Sequence, residues 1–169
     1  ALVGTATATA AGIVSELATA AEITTGTDAS RVMTPDAFSD SERGKRLVQL
    51  KVSADDTAVT TGSDKVIFFV PVELNGMNLV DVEGYVTSTS TTVQSIQVRR
   101  RDGTATNVTM LSTQITIDAK EFSSLTAATA PVINTDNDDV STGNMVVIDV
   151  QGVSGTARGL GVQMSFQTP

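Results

Sequence analysis

The chain has 169 residues, a hydrophobic share of 40%, and a net charge of −8 with a pI near 4.3. That acidic balance argues against a nucleic-acid partner, because phosphate binding needs clustered Lys and Arg. His and Cys are absent, which excludes Ser–His–Asp and Cys–His catalysis and disulfide staples, and no apolar run is long enough to cross a bilayer as a helix.

Residues 1–12 are Ala, Thr and Gly around the pair Leu2-Val3. With so little to bury, they read as an extended N-terminal arm that orders only against a partner. Residues 13–46 read as a small strand and short-helix module. Ile13, Val14 and Leu17 suggest a short strand. Thr19 followed by Glu22 is a capping box, and Gly26 is a stop signal able to take the left-handed conformation. A second helix start follows at Thr34-Pro35-Asp36, with Phe38 continuing it toward Gly44. Helices this short do not persist alone, so Leu17, Ile23 and Phe38 are expected to pack on something else. Together with Leu2, Val3, Ile13 and Val14 they form the candidate assembly and anchoring set.

From residue 47 the pattern changes to period two. Val48, Leu50 and Val52 alternate with polar residues. Lys65–Val72 is apolar on both faces, which predicts a central strand or one at an interface. Asn75-Gly76 predicts a tight turn between paired strands. Leu79–Thr87 predicts a strand in which Gly84 marks a bulge or a close approach. Further strands are expected at Val93–Val98, Thr104–Met110, Gln114–Ile117, Met145–Val150 and Leu160–Phe166. Asp102-Gly103 supplies a turn, a single helical turn is expected at Lys120–Ser123, and the Gly-rich stretch 152–162 reads as a hairpin loop. About eight short strands separated by turns predict an all-β protein, an antiparallel jelly-roll-like β-sandwich over residues 47–169. Aromatic residues make up only 4% of the chain, so this core is thin, and apolar surface shared with other subunits would support it.

Few groups offer chemistry. Glu73, Asp81 and Glu83 are candidate paired carboxylates of the glycosidase kind, but no cleft or separation is visible in the sequence. Asn134, Asp136 and Asp138 have the alternate spacing of hard oxygen ligands in a calcium loop. The Gly and Glu positions of the helix-loop-helix version fail, however, and Asx residues commonly build turns, so a solvated turn is the preferred reading and no cofactor is expected. The one basic cluster is Arg99-Arg100-Arg101. On a strand Arg99 and Arg101 share a face and Arg100 takes the other. The expectation is pairing with carboxylates of the same chain or, across an intersubunit contact, of a neighbour.

The stretch GIVSELATAAEITTGTDASRVMTPDAF (12–38) resembles a segment that recurs in tailed-bacteriophage fibre proteins. The matching positions are Gly12, Leu17, Ala18, Thr19, Glu22, Gly26, Thr27, Asp28, Arg31, Thr34 and Pro35, while Ser15 is an extra residue before Glu16. The words VPVELNGMNLV (70–80), MLSTQITIDAKE (110–121), INTDNDDVSTG (133–143) and GLGVQMSF (159–166) resemble a β domain of phage head-fibre and tail-fibre proteins. The resemblance implies a non-enzymatic virion structural protein, usually a homotrimer, exposed on the particle surface. The first expectation is a head fibre or capsid decoration protein held to capsid or tail proteins by its arm, with 13–46 as a trimerisation collar. The alternative is a tail-fibre domain that binds a host-surface glycan. A depolymerase is disfavoured because aromatic platforms for sugar stacking are nearly absent.

Overall fold

The structure, a computed structural model, describes residues 17–27, 31–104, 107–153 and 156–169. The arm 1–12 and the anchoring candidates Leu2, Val3, Ile13 and Val14 lie outside the described residues. The chain divides into two compact units between Lys45 and Arg46.

In the first unit, helix α1 (Ala20–Thr25) begins at the expected capping box. Glu22 N–H donates to Thr19 Oγ1 at 3.4 Å, and Thr19 N–H donates to Glu22 Oε2 at 2.9 Å. Gly26 closes the helix with φ of 67°, a conformation a side chain would strain. Helix α2 (Pro35–Ser39) starts at Thr34, whose hydroxyl accepts from Ala37 N–H at 3.2 Å. It stops well before Gly44, because a separate 3-10 turn takes over at Glu42–Gly44. Arg43 Nε donates to Ile23 O at 2.9 Å and Glu42 N–H donates to Thr24 Oγ1 at 3.0 Å, which ties that turn to α1. Leu17 bridges Val32 in parallel, the remnant of the strand expected near Leu17.

The second unit is an antiparallel β-sandwich. One sheet holds β1 (Arg46–Lys51), β3 (Met77–Tyr85), β9 (Asp139–Val140) and β11 (Gly161–Gln167), in the order β1-β11-β3-β9. The other holds β2 (Gly62–Phe69), β4 (Gln94–Arg101), β5 (Asn107–Thr109), β7 (Ile115–Ile117) and β10 (Met145–Gly152). Its order is β2-β10-β4-β5, with β7 also on β4. The pair β6 (Leu111–Thr113) and β8 (Val132–Ile133) stands apart. Taking β5 and β7 as one position, this is the jelly-roll order, in which successive strands from β1 to β4 alternate between sheets. Alternate residues of each strand face inward and fill the space between the sheets. Leu79, Ile96, Ile148, Met164 and Phe166 are among the fully buried side chains.

Several sequence expectations change here. The strand expected at Lys65–Val72 has the same length but starts three residues earlier, and it is not central: β2 (Gly62–Phe69) is an edge strand with Ile67 and Phe69 exposed. Asn75-Gly76 does form a turn, yet β2 and β3 lie in different sheets, so the chain crosses the sandwich instead of forming a hairpin. The stretch 152–162 crosses in the same way, from β10 to β11. Gly84 is a close approach, since a Cβ there would sit 3.0 Å from Ile115 Cγ2 on the opposite sheet, while the bulge in β3 falls between its partners Asp81 and Leu79. The single turn expected at Lys120–Ser123 forms one step later, as a 3-10 turn at Ser124–Thr126.

Candidate functional site: an ion-locked outer face and an acidic groove

The three arginines stand at the end of β4, where the strand meets β10 on one side and β5 on the other. Pairing places Arg99 beside Val147 and Arg101 beside Met145, on the outer face of that sheet. Next to them β2 carries a bulge: Ile148 pairs with Val66, but Val150 pairs with Gly62, so β2 has extra residues between. Asp64 sits in this bulge at φ of 55°, a region that Asp tolerates better than most residues. Its N–H donates to Asp149 Oδ1 at 2.8 Å.

Arg99 donates to Asp149 through both Nε and Nη2, the latter at 2.8 Å, and Nη2 also reaches Asp64 Oδ1 at 2.8 Å. Arg101 Nη2 holds the two Asp64 oxygens at 3.0 and 2.9 Å. Arg99 and Asp149 are nearly buried, at 13% and 6% side-chain exposure, whereas the Asp64 side chain is 40% exposed. Hydrogen bonds from Arg101 and then Arg99 lower the Asp64 pKa below the usual carboxylate range, while Asp149 raises that of Arg99. Arg100 faces the other way and pairs with Asp139. All three arginines therefore have partners within the chain, which is the first of the two alternatives open from the sequence. The carboxylates of the lock were missed there. Asp149, a lone acid inside the apolar run MVVIDV, was the available signal, because a charge in such a strand needs a partner.

The loop 134–139 builds a turn. Asn134 Oδ1 accepts from Asp136 N–H at 3.3 Å, and Asn137 N–H donates to Asn134 O at 2.9 Å. Asp138 is buried instead of facing a common centre with the other two. Among the described residues no cluster of three or more Asp or Glu side chains is placed to hold a metal. Burial, with a smaller contribution from Asp139, raises the Asp138 pKa. A carboxyl that is harder to ionise folded than unfolded costs stability above its folded pKa, and the cost fades as pH falls. Asp138→Asn is therefore expected to raise the thermal midpoint at pH 7, with variant and parent converging toward pH 4. An equal gain at both pH values would mean that the charge is not responsible.

On the opposite sheet Asp81 and Glu83 share the outer face of β3. The strip from Phe122 to Thr126 runs along the edge of β3: Val86 N–H donates to Phe122 O at 2.8 Å and Gly84 N–H to Ser124 Oγ at 2.9 Å. The two acids, Ser124, Leu125 and Pro131 line an open groove of about 220 Å³. Glu73 lies away from this strand, on the 3-10 turn Val72–Leu74.

In the first unit, Ile23 is buried and Phe38 half-buried, whereas Leu17, Val32 and Met33 are exposed. Ala18, Ile23, Met33 and Phe38 line a largely apolar cavity of about 310 Å³ with Arg31 and Arg43 at its margin. The two helices among the described residues of this unit have six and five residues, too few to persist without packing on other surface. No protein-family model matches this chain, and no curated protein shows significant similarity to it.

Proposed function

We propose that this chain is a non-enzymatic structural protein of a tailed-bacteriophage particle, a homotrimeric head fibre or capsid decoration protein whose β-sandwich projects from the virion surface. The carrying observation is the first unit, with two helices too short to persist alone and with Leu17, Val32 and Met33 exposed. Three copies of such a unit could bury one another's apolar surface, which is the use of a collar. The capping pattern on Thr19, Glu22, Gly26, Thr34 and Pro35 is also the part of the sequence that resembles phage fibre segments.

The arginine cluster and the Asn134–Asp138 loop have structural uses, and these also support a non-enzymatic role. Arg99 to Arg101 are consumed by internal pairing, and Asn134 to Asp138 by a turn. A glycan-binding tail-fibre domain is the alternative, but the Asp81–Glu83 groove has no aromatic side chain in its lining to stack on a sugar ring. The test is location. Antibody against this chain, applied to intact particles and viewed by electron microscopy, is expected to label the capsid. Label at tail tips would replace the head-fibre reading by the tail-fibre one, and no label on any particle would overturn both.

A further inference from the structure

The two outer faces of the sandwich differ in sign, and each carries exposed apolar residues. On the β2 face, Lys65, Ile67 and Phe69 share the outward side, next to Val147 and Met145 of β10. Its charges are three cations (Lys65, Arg99, Arg101) against two carboxylates (Asp64, Asp149), an excess of one positive charge. Phe69, at the end of this edge strand, is 61% exposed, and Val72, on the 3-10 turn beyond it, is 69% exposed. The run VIFFV has the composition that makes an uncovered edge prone to pairing, and Lys65 is its only flanking cation.

On the β3 face, Asp81 and Glu83 have no ion-pair partner among the described residues, and Leu125 stands exposed beside them. Lys51 on that face is already paired with Asp55. One face thus offers a protruding aromatic and, four positions back on the same strand face, a cation whose one partner among the described residues is the neutral Thr60 hydroxyl at 2.7 Å. The other offers a groove with two carboxylates and an exposed Leu.

The geometry points to a head-to-tail contact between copies of this chain, in which Phe69 of one copy enters the Asp81–Glu83–Leu125 groove of the next and Lys65 meets those carboxylates. Contacts between unlike faces close into a ring when the rotation permits, so this surface deepens the trimer reading and rests on it. Charge complementarity selects a second copy as the occupant, and a buried aromatic anchor would carry most of the contact energy.

The test uses the full chain in sedimentation-velocity experiments over a concentration series. Phe69→Asp and Lys65→Glu are each expected to raise the concentration of half-dissociation by at least about tenfold. Combining Lys65→Glu with Asp81→Lys is expected to recover most of the loss, because every interface then carries the swapped pair. Circular dichroism reports whether each variant keeps the sandwich. A trimeric parent whose variants remain equally trimeric overturns this interface and leaves the trimer reading standing. A monomeric parent overturns both, and failure of the double variant to recover overturns the proposed pairing.

Discussion

Arg99→Met is expected to destabilise the sandwich by about 3–5 kcal/mol, the range for breaking one side of a buried ion pair. Asp149 has only 6% side-chain exposure, and without Arg99 its charge would keep the hydrogen bond from Asp64 N–H but lose its counter-ion. The cost is mainly that of an uncompensated buried carboxylate, not the worth of the bond that was lost. Arg101→Met is the informative comparison. Its partner Asp64 is 40% exposed, so water can replace the guanidinium and the loss should be far smaller.

A double variant, Arg99→Met with Asp149→Leu, is expected to regain most of the stability, since neither charge then remains buried alone. Urea unfolding of the four proteins checks this. Equal losses for Arg99→Met and Arg101→Met would mean that burial does not distinguish the two pairs. The pH dependence has a definite sign. The lowered Asp64 pKa means that its contribution is present above the unfolded value, about 3.9, and is lost as pH falls through the folded one.

Phe166→Ala should be comparably severe, at about 3–5 kcal/mol. The chain has five Phe and no Trp, and Phe166 is the Phe among the fully buried large side chains, while Phe69 and Phe122 are exposed. It lies on β11, between β1 and β3, opposite Arg46 on one side and Leu79 on the other. A core poor in aromatics has little spare volume with which to refill the cavity. Phe166→Leu should cost less than about 1.5 kcal/mol, because most of the volume remains. Both are read from the shift in urea midpoint at unchanged slope. A loss below about 1 kcal/mol for the Ala variant would mean that the two sheets can close over the gap.

The sequence by itself determined what neighbouring residues settle between themselves. Thr19 and Glu22 are three positions apart, and their reciprocal hydrogen bonds form as soon as one helical turn does. Gly26, Thr34 and Pro35 mark ends for equally local reasons, and strict alternation in Val48, Leu50 and Val52 suits only a pleated strand with one wet face. From these followed an all-β sandwich, and strand number and spacing pointed to a jelly roll.

What only the tertiary structure decided is which distant segments meet. Asn75-Gly76 encodes a reversal of the chain, but turn chemistry does not choose a pairing partner, and the two flanking strands went to different sheets. An apolar run such as Lys65–Val72 reads alike at the centre of a sheet and at an edge that another surface must cover, because period and composition are blind to strand order. Arg99 finds Asp149 fifty residues away and Asp64 thirty-five away. That lock depends on a bulge in β2 and on β10 lying between β2 and β4. Residue spacing cannot encode such an arrangement, since it arises only when the hydrophobic faces of the two sheets close on each other and strand register is set by what they bury.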